Sequence, residues 1–97
     1  MKKMTKPYDT AEYLASEEEM AAYLEEAFSE GDASLVIQAL GTIARARGMT
    51  QLARETGLRR ESLYKALSAE GNPEFGTILK VVKALGIKLH AETAHSI

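Results

Sequence analysis

The stretch from Thr50 to Leu67, TQLARETGLRRESLYKAL, decides how the rest of the chain is read. Two short helical patterns meet in it at a glycine. Thr50 is a candidate N-cap, with Leu52, Ala53 and Thr56 following at helical spacing. Gly57 ends that pattern and Leu58 opens a tight connection. A second pattern starts near Arg60 and sets Leu63, Ala66 and Leu67 on one face. Ala53 is small because the second helix crosses the first close by. Gly57 can take the positive φ that a tight helix–helix turn needs. Leu52, Leu58, Leu63 and Leu67 pin the pair to the body of the domain. Arg59, Arg60, Glu61, Ser62, Tyr64 and Lys65 are left outward. That set is cationic and hydrogen-bonding, and it opens a helix, where a helix-turn-helix meets base edges and phosphates. The bland alternative is an ordinary corner in an all-α protein. The arginine pair directly after the turn, and the apolar positions behind it, favour DNA.

The chain has 97 residues, enough for one small domain with an extension and a modest core. It has no cysteine, which excludes disulfides, thiolate zinc sites and thiol nucleophiles and suits a reducing cytoplasm. Its apolar runs are too short to span a bilayer. MKKMTK lacks the apolar segment of a secretory signal. The net charge of −2 is unevenly spread: residues 1–32 carry −6 and residues 33–97 carry +4. Charge partitioned in this way implies two faces or two partners.

Asp9 is a candidate cap for a short helix through Tyr13 and Leu14. Ser16-Glu17-Glu18-Glu19 reads as a capping box, with its acids at the positive end of the helix dipole. Met20, Tyr23, Leu24, Ala27 and Phe28 form one apolar stripe; Glu25, Glu26 and Glu30 lie off it. The plain reading of this helix is a core-packed stripe with a solvated acidic face. The functional reading is a dock for a basic partner. Gly31 is a C-terminal stop and Asp32 the next cap. Residues 33–47 form a helix with Leu35, Val36, Ala39, Leu40, Ile43 and Ala44 apolar, ended by Gly48. Arg45 and Arg47 in its last turn suit either the dipole or a phosphate. After a loop at Gly71-Asn72-Pro73, a last helix runs from about Phe75 to Leu85 with Phe75, Ile78, Leu79, Val82 and Leu85 inward. Thr77 in its first turn is a candidate phosphate contact. Ile87 to Glu92 alternates apolar and polar residues like a strand. A lone strand needs a mate, and a second copy of the chain would supply it. The rival is an extended tail on its own domain. The pattern predicts three segments: an acidic helical extension over 1–31, a DNA-binding domain over 32–92 and a tail over 93–97.

The run GMTQLARETGLRRESLYKALSAEGNPEFGTILKVVKALGIKL, residues 48–89, resembles the HigA-like addiction-module antidote proteins. These are small antitoxins of the lambda-repressor/Cro-type helix-turn-helix superfamily. The likeness covers about residues 8–92 and is most specific in TGLRRESLYKALS, EGNPEFGT and VVKALGIKL. Where the superfamily usually has T-Q-x-x-L-A, this chain has Thr50-Gln51-Leu52-Ala53, two residues shorter. The resemblance implies an all-α, lambda-repressor-like fold, read here as five to six helices; the short C-terminal β-strand pairing across a dimer rests on the alternation at Ile87–Glu92. It implies a RelE/HigB-like toxin as partner, and repression of the protein's own operon by a homodimer on double-stranded operator DNA. Laid on phage-type repressors, the second helix puts Arg60, Glu61 and Lys65 at base-reading positions. Arg59, Ser62 and Tyr64 fall on neighbouring or phosphate-facing ones. Thr50, Gln51, Arg54, Asn72 and Thr77 complete the backbone candidates. Arg60 and Lys65 suit guanine O6 and N7, and Glu61 suits cytosine N4.

The acidic N-terminal third, with Tyr13, Glu17, Glu18, Tyr23, Glu25 and Glu26 as candidate toxin contacts, would cover the basic surface of a nuclease. The rival readings are a stand-alone phage-type repressor and an interaction module whose helix-turn-helix no longer touches DNA. No enzyme is expected. Ser62 has no base near it in the sequence, and His90-x-Glu92-x-x-His95 does not converge into a metal site on a strand or a frayed end. No cofactor is expected either.

Overall fold

A computed structural model describes residues 16–94 of the chain as five helices joined by short connections. The expected helix through Tyr13 and Leu14 lies outside those residues. Helix α1 spans Glu17–Glu30. Ser16 Oγ accepts from the Glu19 amide at 3.1 Å, and three glutamates fill the first turn, where the dipole is positive. Gly31 ends it in the left-handed region at φ 71. Asp32 Oδ1 accepts from the Ser34 amide at 2.9 Å and opens α2, Ala33–Arg47. Gly48, at φ 110, turns the chain into α3, Met49–Thr56.

Helix α3 differs from expectation at its start. Thr50 lies inside the helix and is exposed; Gly48 is the cap, and its carbonyl accepts from the Leu52 amide at 3.1 Å. The reason is Met49. Its side chain is buried, which draws that residue into the helix ahead of Thr50. Gly57 stops α3 at φ 77, and residues 57–59 lead into α4, Arg60–Ala66. Thr56 Oγ1 braces the turn: it donates to Leu52 O at 2.8 Å and accepts from the Leu58 amide at 3.2 Å. The last helix, α5, spans Phe75–Ala84.

One apolar core gathers all five helices. Met20 and Leu24 come from α1, Leu40, Ile43 and Ala44 from α2, Leu52 from α3 and Leu63 from α4. Val81, Val82 and Leu85 close it from the end of α5. None of the described polar or charged residues is buried. Gly41 lets the end of α4 lie against α2, since a Cβ there would stand 2.7 Å from the Leu67 carbonyl oxygen. The Arg47 guanidinium donates to Leu85 O at 3.1 Å and ties the ends of α2 and α5 together. That bond favours the structural reading of Arg47 over a phosphate contact.

The inward face of the last helix differs from expectation. The inward face of α5 is Ile78, Val81, Val82 and Leu85; Phe75 and Leu79 are 65% and 43% exposed. Apolar residues surround this helix, so its spacing fits more than one face. Residues 87–94 form no strand in the single chain, and no strand occurs among the described residues. Ile87 and Leu89 instead pack against the chain's own core, half-buried. A ladder needs a second strand, and the described chain has none to offer.

Candidate nucleic-acid interface

The exposed face of α4 begins one residue before the helix. Arg59 holds extended backbone at φ −74 and ψ 147, and α4 follows without a side-chain cap. Leu63 is fully buried and Leu67 nearly so, which fixes the rotation of the helix about its axis. With that rotation set, Arg59, Arg60, Glu61, Ser62, Tyr64 and Lys65 all stand exposed. Three cations against one acid leave this face positive on a chain that is negative as a whole.

Arg60 and Tyr64 are one helical turn apart. The Arg60 guanidinium carbon lies 5.7 Å from the Tyr64 ring centre, a cation–π distance. The pair limits the rotamers of Arg60 and holds its planar fork beside the helix. In the sequence the two residues stand as separate candidates, with no stack between them foreseen. Their spacing of four was the available signal.

Helix α3 adds Thr50, Gln51 and Arg54, all exposed. The Gln51 side-chain amide donates to Glu55 Oε2 at 2.9 Å, so part of its capacity is already engaged. Arg54 stands in the last turn of α3, just before the connection to α4. After α4, residues 68–73 fold back and leave a concavity of about 500 Å³, bordered by Ser62, Lys65, Ser68, Asn72 and Pro73. Gly71 makes this possible. A Cβ there would collide with the Ala66 carbonyl oxygen and stand 2.6 Å from that of Lys65. Asn72 is exposed on the lip, and Glu70 contributes a negative charge to it. Thr77 is half-buried in the first turn of α5, so of the backbone candidates it is the least available.

The acidic candidates lie on α1. Glu17, Glu18, Glu25 and Glu26 are exposed. Tyr23 is half-buried and packs on the core, which favours a packing role for its ring. Tyr13 lies outside the described residues. The Glu17 carboxylate lies over Gly86, 2.5 Å from where a Cβ would sit, and so faces the chain's own α5 end. Glu19, Glu26 and Glu30 recur at helical spacing and form one exposed acidic stripe.

Among the described residues no group of three or more His, Cys, Asp or Glu side chains is placed to hold a metal. No helix among them is long and apolar enough to cross a membrane. A family model described as "Probable addiction module antidote protein" matches residues 4–93. A Haemophilus influenzae protein described as "Uncharacterized protein" is 50% identical over 92 residues, covering 95% of each chain. No solved structure gives a significant match.

Proposed function

This chain belongs to the family of probable addiction module antidote proteins, and from that premise we propose that it is the antitoxin of a type II toxin–antitoxin module. It binds and neutralises a RelE/HigB-like toxin and represses its own operon as a homodimer. It acts by binding alone, without catalysis or cofactor, in the cytoplasm. Residues 1–31 serve the toxin, residues 32–92 the DNA.

The observation that carries the DNA half is the exposed cationic face of α4 on a fully buried Leu63. Helices α3 and α4 act as a lambda-repressor-like helix-turn-helix. The first lies across the phosphate backbone and the second enters the major groove. Arg60 and Lys65 donate to guanine O6 and N7, and Glu61 accepts from cytosine N4. Arg54, Arg59, Thr50, Gln51 and Asn72 contact phosphates and set the register. Three base readers per chain are few, so two chains bind an inverted repeat whose half-sites lie about 10 bp apart. The acidic stripe of α1 supports the toxin half, since a nuclease that grips RNA is basic.

A gel shift with the protein's own promoter fragment tests this reading. The promoter binds roughly a thousandfold or more tighter than random DNA, and raising salt weakens both. Equal affinity for promoter and random DNA sinks the repressor. The whole-chain charge of −2, Glu61 on α4 and the acids Glu70 and Glu74 after it favour a second reading, an interaction module that leaves DNA alone. The absence of any shift would establish it. A stand-alone phage-type repressor is a third reading, and a toxin gene beside this one excludes it.

A further inference from the structure

A groove of about 940 Å³ runs between α1 and residues 87–94. Leu24, Phe28, Phe75, Ile87 and Leu89 give it apolar walls. Phe28 and Phe75 remain 44% and 65% exposed there. The Ile87 amide donates to Val82 O at 3.1 Å; beyond it, among the described residues, no backbone–backbone hydrogen bond involves residues 88–94. One wall of an apolar groove is therefore an open backbone edge. Its side chains already alternate: Ile87 and Leu89 turn toward the core while Lys88 and His90 are exposed. Alternation of this kind is what a paired strand requires.

The rim decides the occupant. Glu25 and Glu92 lie on it with Lys88, and His90 stands between the last two in the chain. A uniformly basic partner meets Lys88 as a like charge; a uniformly acidic one meets both glutamates. A second copy of this chain brings both signs. We propose that the groove is the dimer face, with the two tails paired antiparallel about a two-fold axis through His90. In a two-fold pair each contact occurs twice with the roles exchanged. Centred on His90, the register sets Lys88 opposite Glu92 of the second copy and Glu92 opposite its Lys88. Leu89 then faces Ala91 of the other tail on the groove side, beside Phe28 and Phe75. Moving the centre by one residue in either direction leaves Lys88 without an acid opposite. The acidic stripe of Glu19, Glu26 and Glu30 lies off the groove and stays free for the toxin. This assignment rests on the homodimer proposed above and goes beyond it by naming the face and the register.

Charge reversal on the full chain tests it, with self-association measured by analytical ultracentrifugation and the fold checked by circular dichroism. Lys88→Glu sets two like pairs in opposition and weakens the dimer about tenfold; Glu92→Lys does the same. Mixing the two variants restores both pairs, so a heterodimer forms where each alone dissociates. The double variant Lys88→Glu/Glu92→Lys self-associates like the native chain. A native dimer indifferent to both single reversals, or no recovery on mixing, overturns the register and leaves the dimer reading intact. A native chain that stays monomeric overturns both, and hands the groove to another occupant such as the toxin.

Discussion

Arg60 and Arg54 separate reading from gripping. In the proposed complex Arg60, stacked beside the Tyr64 ring, is a base reader, whereas Arg54 on α3 is a phosphate contact. Arg60→Ala loses roughly 1–3 kcal/mol on the operator and relaxes choice at one base pair, with little effect on random DNA. Arg54→Ala weakens binding to both alike and reduces the salt slope by about one. Titrations of operator and random duplexes at two salt concentrations distinguish them, and an equal loss on both for Arg60→Ala would show the assignment is wrong. Gly71 carries a different kind of prediction. A methyl group there meets carbonyl oxygens of α4, so backbone must move. Gly71→Ala costs about 1–3 kcal/mol in a urea melt and displaces Asn72 from the lip. An unchanged midpoint would mean the close approach is not what demands glycine. The exposed set on α4 was readable from spacing alone, because Leu63 and Leu67 fix its rotation. The role of Gly71 was not. A turn glycine and a close-approach glycine look alike in a sequence, and only the fold of residues 68–73 against α4 tells them apart.

Element limits were legible wherever the stop is local. Ser16, Gly31, Asp32 and Gly57 each act through their own φ or side chain within a few residues, and each stands where the pattern put it. Asp32→Ala removes the bond to the Ser34 amide and costs α2 about 0.5–2 kcal/mol. A thermal melt reads that loss, and a melt identical to the native chain's would deny Asp32 its role as a cap. Legibility failed where choice depends on neighbours. Helix α5 offers Phe75 and Leu79 on one side and Val81 on another, and which side turns inward depends on where α3 lies. The tail shows the same dependence. Its alternation is real, but a strand is a property of two segments, and the described chain supplies one. The start of α3 is a milder case: Thr50 has the chemistry of a cap, yet burial of Met49 moves the boundary back.

Across the whole molecule, charge does what no single contact does. Residues 1–32 carry −6 and the remainder +4, and the acidic helix α1 packs into the same core as the proposed DNA surface. Under the proposed function, that arrangement couples toxin and DNA through the field of the chain. Replacing Glu19, Glu26 and Glu30 together by Gln lowers affinity for a basic toxin and makes it less sensitive to salt. The same variant binds operator slightly more tightly at low salt, because three negative charges no longer repel the phosphates. Parallel titrations with toxin and with operator check both signs, and unchanged toxin affinity removes α1 from that interface.

Helix α4 has seven residues, fewer than a helix needs to persist in water on its own. Its only fully buried anchor is Leu63, and its far end rests on α2 at Gly41. It therefore has no private melting transition. Its amide protons exchange with deuterium at the pace of global opening, alongside those of α2, and not ahead of them. Whatever loosens the middle of the molecule erases the proposed DNA surface in the same event.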